Sequence, residues 1–404
     1  MLKRRLFRVV PLCLALALLV VGGACLPPTA ATAVEVDGLV VHEWGTFTSV
    51  AGRNGEALSW RPLSFESDLP GFVYSIDKGA TWEGGLRYPS KSSRFVTVRM
   101  ETPLLYFYAS GETDVSVKVG FNGGTITEWY PRARATGQTV EWAQFRVLPG
   151  ASGVELAHEG GPNHYYPARD TDAATVRVRG ERGAEHEKFL FYRGVGDSRL
   201  PLAVLVEGGK VVVRSTQPRG VGKVILFERR GGAAGHSAGD APAGETRLER
   251  PALAPAAAPP REELKALLVA HGLYEREAEA MLDTWRDSWF EEGLRVFYVL
   301  PREAVDAILP LTIEPKPKEL VRVLVGRAEL ITPEMERDAA AQLSKFEDPA
   351  PGAREAALRE IGKYGRFADT ILGQLLRYAP DRQTQARVQR VLQATAPRAR
   401  QAIE

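Results

Sequence analysis

LAVLVEGGKVVVRS, residues 202–215, sets two apolar, β-branched runs on either side of Gly208-Gly209. Glycines accept the positive backbone angles of a tight turn, so the stretch predicts a β-hairpin. SVKVGFNGGTITEWY (116–130) has the same form around Asn122-Gly123-Gly124 and predicts a second. Similar runs recur from Val34 to Arg230: GLVVHEW (38–44), RFVTVRM (94–100), LLYFYA (104–109), VEWAQFRVL (140–148), TVRVRG (175–180), KFLFYRG (188–194) and KVILFER (223–229). About ten short strands at this spacing suit a sandwich or a barrel. The expectation is an antiparallel β-sandwich over residues 34–230.

Residues 231–260 are rich in Gly, Ala and Pro and lack apolar periodicity, which reads as a flexible linker or long loop. Beyond it, helical spacing returns. REELKALLVAHG (261–272) and YEREAEAMLDTWRDSWFEEG (274–293) each carry one apolar stripe, the second through Tyr274, Ala278, Met281, Trp285 and Trp289. RVFYVL (295–300) and LTIEP (311–315) read as strands that could rejoin the sheet. Residues 261–332 are thus a mixed helical segment packing on the sheet. If those strands do rejoin it, 231–260 is an insertion within one domain. Four helices are expected near 333–346, 351–363, 367–379 and 382–395, so the fold class is α+β.

The first 33 residues read as an export signal. Lys3, Arg4, Arg5 and Arg8 lead into VVPLCLALALLVVGGA (9–24), and Ala31 and Ala33 suit a peptidase. The apolar run is shorter than the roughly 20 residues of a membrane span. RRLF resembles a twin-arginine pattern, while the Leu-rich core suits the general secretory route. Lipid on Cys25, in VGGAC, would anchor the chain, although Gly22 stands where Leu is usual. The expected location is periplasmic or extracellular, with membrane contact only through the signal or that lipid. Loss of the leader lowers the basic count from 52 to 48 against 50 acidic residues, so no nucleic-acid partner follows. Cys13 and Cys25 leave with it, which removes thiol chemistry and disulfides from the mature chain.

Two resemblances bear on organisation. DPAPGAREAALREIGKYG (348–365), followed by DRQTQARVQRVLQ (381–393), resembles HEAT-type helical repeats, which implies a short HEAT-like array over 333–404. Such stacks bind proteins, so the resemblance implies a protein partner. Residues 351–404 carry ten basic and five acidic side chains, which suits an acidic partner. VVHEWGTFTSV (40–50), opening on HEWGTFTS, together with GLYEREAEAMLDTWRDSWFEEG (272–293), is similar to a group of secreted bacterial proteins of unassigned function. That likeness spans 38–335 and implies no activity.

HEGGPNHYYPARDTD (158–172) is the densest cluster of reactive side chains. His158 and His164 are six apart, and Gly160, Gly161 and Pro162 exclude the helical His-Glu-x-x-His zinc pattern. A loop could still fold His158 and His164 onto one divalent metal, with His186 or His42 completing three ligands and Glu159 as general base. Tyr165, Tyr166, Arg169 and Asp172 would then line a binding surface. The other reading is a polar loop between strands. Asp170 and Asp172 are too few for calcium, and a salt bridge from Arg169 fits them better. Adjacent His42 and Glu43 face opposite sides of a strand, so one is expected inward. Glu275, Glu279, Asp283, Asp287 and Glu291 repel one another along one helix, so Arg276, Arg286 or Arg295 should offset them. Arg193 is expected to pair with Glu101. GHSAG (235–239) has the spacing of a nucleophile elbow but lies in the expected linker. Two functions compete: an exported binding or scaffold module of the cell envelope, and a metal-assisted hydrolase.

Overall fold

The computed structural model describes residues 38–63, 69–76, 94–180, 183–345, 348, 350 and 352–395. The expected leader and Cys25 lie outside these residues. The described chain is mixed α/β, mostly strand, with three open sheets and seven helices concentrated in its second half.

The largest sheet runs β16 (Ala254–Pro255), β14 (Ala233–Ala241), β13 (Gly222–Arg230), β17 (Gly293–Val299), β19 (Glu319–Leu330), β1 (Leu39–Ala51), β3 (Val98–Ala109), β10 (Leu190–Gly196), β5 (Gly124–Tyr130) and β2 (Tyr74–Ser75). A second sheet runs β18 (Leu311–Glu314), β4 (Thr113–Gly120), β7 (Thr139–Leu148), β8 (Thr175–Gly180) and β9 (Gly183–Glu187), with β6 (Arg134–Ala135) beside β7. The third holds β11 (Leu202–Glu207), β12 (Lys210–Ser215) and β15 (Gly244–Glu249). The helices are α1 (Arg261–Ala270), α2 (Glu275–Trp289), α3 (Arg302–Ile308), α4 (Pro333–Lys345), α5 (Ala353–Gly362), α6 (Ala368–Arg377) and α7 (Arg382–Thr395).

β1 lies near the middle of the large sheet, and all 13 of its residues are buried. It pairs in parallel with β19 and antiparallel with β3. A strand covered on both faces cannot alternate polar and apolar residues for solvent. One face of β1 presents Val41, Phe47 and Ala51 to an apolar core. That core also takes Val117, Val140 and Phe145 from the second sheet and Val204, Val211 and Val213 from the third. The other face presents His42, Trp44, Thr46, Thr48 and Val50. Over this face α2 packs Trp289 on Phe297, with ring centres 5.1 Å apart, and Phe290 follows on Phe227 at 5.5 Å. Val50 joins Trp60, Ile331, Ala339, Phe367 and Ile371 beneath α4 and α6. Each such side chain contributes about 1.5–3 kcal/mol when fully buried.

The 202–215 hairpin forms as expected, with Glu207 opposite Lys210. The 116–130 hairpin does not: β4 and β5 lie in different sheets. Two of the turn's backbone bonds leave it, Phe121 N–H donating to Gln138 O and Asn122 N–H to Ile308 O, both at 2.8 Å, while Gly124 N–H closes the turn on Phe121 O at 3.2 Å. A Cβ on Gly124 would lie 2.4 Å from the Phe121 ring, so glycine is required where that ring folds back. The Asn-Gly-Gly stretch is a corner between sheets. RFVTVRM and LLYFYA also differ from expectation, contributing to the single strand β3.

The linker expected over 231–260 is corrected. It holds β14, β15 and β16, and it lies between β13 and β17 of the same large sheet. A boundary at 230 therefore does not exist, and 34–230 is not a separate sheet unit. β14 is AAGHSAGDA because other chain segments press on it. A Cβ on Gly235 would stand 2.1 Å from Ala252 O, and one on Gly239 2.7 Å from a Leu248 methyl. Small residues here serve close approach, while in sequence they look like linker composition. Gly235→Val should therefore lower stability by about 1–3 kcal/mol through overpacking. Urea denaturation would show this as a lower midpoint at unchanged slope, and a neutral result would count against the pressed strand.

Candidate functional site

The 158–172 cluster folds as a fixed loop around a short 3₁₀ turn, Tyr166–Arg169. The His158 ring stacks on Tyr166 at 4.3 Å, and His164 faces Trp285 at 5.9 Å. The Glu159 carboxylate accepts from Gly71 N–H at 2.7 Å. His186 sits on β9 opposite Arg177, and burial, then that guanidinium, lower its pKa. His42 is on β1, with Nδ1 2.8 Å from Glu277. Four histidines thus have four different neighbourhoods. Among the described residues, no three His, Cys, Asp or Glu side chains gather as a metal-ligand set. The expected convergence of His158 and His164 with His186 or His42, and Glu159 as base, is corrected on that geometry.

The binding residues of the same loop hold the loop itself. Arg169 pairs with Glu187 at 2.6 Å and donates to Ala157 O at 2.7 Å, while Tyr165 OH donates to Glu187 at 3.1 Å. Tyr166 OH receives Glu159 N–H at 2.9 Å. Asp170 and Asp172 pair with Arg276 of α2 rather than with Arg169. The Tyr106 hydroxyl donates to Ala168 O at 2.7 Å, which fixes the turn to the large sheet. The loop is thereby clamped between β9, β3 and α2.

Beneath α2 lies a constellation that sequence reading missed. Glu277 is 0 % exposed and accepts three hydrogen bonds: from the His42 ring at 2.8 Å, Tyr108 OH at 2.9 Å and Tyr274 N–H at 2.8 Å. The His42 ring meets Tyr274 at 4.5 Å and the edge of Tyr108 at 5.5 Å. Burial first, then the Glu277 carboxylate, pushes the Tyr106 and Tyr108 phenols above their usual pKa, so both stay neutral donors. With Nδ1 on Glu277, the His42 Nε2 is buried without a partner. A carboxylate–imidazole pair of this kind orients a proton acceptor. At 1 % and 0 % exposure the pair pins α2 to the sheet rather than meeting solvent. One signal was present: Glu277 is three residues from Tyr274 and four from Met281, on the apolar stripe of its helix.

Both His42 and Glu43 are buried, against the expectation that only one would be. Glu43, on the opposite face, pairs with Arg322 at 2.5 Å and receives the Tyr192 hydroxyl. Arg322 also reaches Asp306 at 2.7 Å. Farther along the sheet, Arg193 pairs with Glu128 at 3.1 Å. Glu101 receives Thr48 at 3.0 Å and pairs with Arg99 at 3.2 Å. Arg295 and Arg327 share Glu329, at 2.8 and 2.5 Å. The acidic stripe of α2 is offset mostly from outside the helix: Arg261 and Lys265 of α1 pair with Asp283 and Glu279, and Arg327 with Glu291. Trp285 and Trp289 are buried, as their spacing implied. Ser237 of the GHSAG string lies on β14, mid-strand rather than at an elbow.

No protein-family model matches the chain, and no curated protein sequence matches it either.

The Arg169–Glu187 pair gives a pH prediction. Burial, the largest influence, raises the Glu187 carboxyl, and Arg169 is the main opposing one. A carboxyl raised above its unfolded value favours folding in its neutral form, and that contribution disappears as pH rises through the folded value. Arg169→Met removes the opposing charge, so its deficit should grow with pH. About 3–5 kcal/mol is expected near pH 8, the cost of stranding one buried partner, and less at pH 5. Urea titrations at both values measure it, and a deficit that does not change with pH would count against a charged Glu187.

Proposed function

We propose that this chain is an exported cell-envelope protein that works as a binding or scaffold module, engaging a protein partner through its C-terminal helices. The observation that carries the reading is the way the helical tail is mounted. α4 and α6 are fixed to the large sheet by the apolar cluster around Trp60 and Ile331 and by two ion pairs, Arg53–Glu336 at 2.7 Å and Arg61–Asp369. α7 packs outside them, burying Val388 and Val391 against Leu343, Ile361 and Leu372. Its outward residues, Arg382, Gln383, Gln385 and Gln389, are polar or basic and exposed. A rigidly held helix with a free polar face is a surface for recognition.

The finer architecture belongs to the same reading. The large sheet and the five-strand path beside it are taken as the layers of a β-sandwich, because one apolar core draws on both. α4–α7 are taken as a HEAT-like array, on the strength of the sequence likeness and their shared core. Export rests on the first 33 residues, and anchoring on the signal or on lipid at Cys25. No helix among the described residues is long and apolar enough to cross a membrane. Nothing in the charge balance points to nucleic acid.

A photo-crosslinking residue at Gln385 should capture one discrete protein in the envelope fraction, while the same residue at exposed Ser152 should not. Equal capture at both positions would overturn the docking face. Cell fractionation should find the leader-free chain outside the cytoplasm, and a wholly cytoplasmic chain would overturn export.

A further inference from the structure

The seam between the sheet and the helical tail holds a cleft of about 410 Å³, within the roughly 300–1,000 Å³ of small-molecule sites. Its floor is one face of α6. Thr370, Gly373, Gln374 and Arg377 recur at three- and four-residue spacing, so they stand in one row along the cleft. Thr370 and Gln374 are 4 % and 2 % exposed, and the Thr370 hydroxyl and Gln374 Nε2 are buried with no hydrogen-bond partner. A buried donor left unmade is costly, and two beside an open cavity mark a place built to be filled.

The remaining walls define what fills it. Leu58 and Leu392 are apolar, and Phe95 is 59 % exposed, the most exposed large apolar side chain described. Arg61 and Asp369 neutralise each other across the cleft. Arg377 stands at the rim, exposed, without an ion pair among the described residues, its guanidinium 5.9 Å from the Tyr378 ring. The unspent groups are therefore donors: a guanidinium fork, a primary amide and a hydroxyl. One free positive charge suits one negative charge. A dianionic phosphate would meet the Asp369 carboxylate with only one guanidinium to hold it.

We propose that this cleft binds a small monoanionic carboxylate with an apolar or aromatic body. The carboxylate would lie on Arg377 and the Gln374 amide, which as helix neighbours three apart can share one group, and the body would lie against Phe95 and Leu58. This site is separate from the outer face of α7 and stands or falls without it.

The test is titration calorimetry of the purified protein with 3-phenylpropionate and with its amide. The acid should bind saturably and the amide about tenfold more weakly or worse, as expected for loss of a charge-assisted pair. Arg377→Gln should weaken the acid by about the same factor and leave the amide unchanged. Gly373→Leu is the blocking variant, because a Cβ there meets nothing within 4 Å and the residue lines the cleft. It should abolish binding of both probes while thermal melting stays unchanged. N-acetyl-Ala-Phe with a free carboxyl terminus separates the two sources of such a ligand: tighter binding than 3-phenylpropionate assigns the site to peptide ends, and weaker binding assigns it to free acids. Equal affinity for acid and amide, undiminished binding by Gly373→Leu, or no saturable binding of any probe would overturn the proposal.

Discussion

Burial of β1 on both faces is the constraint from which the rest of the arrangement follows. Because no residue of this strand reaches solvent, its two adjacent ionisable side chains must each be satisfied inside the protein. His42 turns to one face and takes Glu277, 235 positions away; Glu43 turns to the other and takes Arg322, 279 positions away. These partners dictate which segments close over the sheet: α2 on the first face and β19 beside the strand. Removing one member of such a pair strands a buried charge at about 3–5 kcal/mol, whereas apolar packing alone tolerates substitution. The buried polar pairs therefore fix register and helix placement, while the three-sheet core provides the bulk of the stabilisation.

The elements were legible where local physics decides them. Gly208-Gly209 makes its own turn, and the helix positions from 261 onward follow apolar stripes that bury as spacing requires. The reading failed where a residue's role lies in a distant neighbour. Asn122-Gly123-Gly124 has hairpin composition, but Phe121 folds onto Gly124 and the Phe121 and Asn122 N–H groups go to Gln138 and Ile308. Gly235 and Gly239 look like linker residues because nothing in nearby sequence announces Ala252 and Leu248 lying against them. The 158–172 cluster misled for the same reason. Its Arg169 is used by Glu187 and its aspartates by Arg276, partners that spacing cannot reveal.

The placement of the polar residues on the α2 face depends on one irregularity in β3. Opposite Gly45 the register with β1 shifts: Trp44 stands across from Leu104, but Thr46 stands across from Glu101, so β3 carries one extra residue. An inserted residue reverses which side chains face which way beyond it. Before the bulge, Tyr106 and Tyr108 face α2 while Leu105 and Phe107 enter the apolar core; after it, Arg99 and Glu101 face the first side while Val98 and Met100 enter the core. Without the bulge, Arg99 and Glu101 would point into that apolar core. Its formation costs strain, since Thr102 adopts φ +50, a conformation worth about 1–3 kcal/mol for a non-glycine residue. Gly45 is required across from it, because a Cβ there would lie 2.8 Å from Pro103 Cα. That strain is smaller than the cost of burying two charges among apolar side chains, which accounts for the irregularity at this point of the sheet.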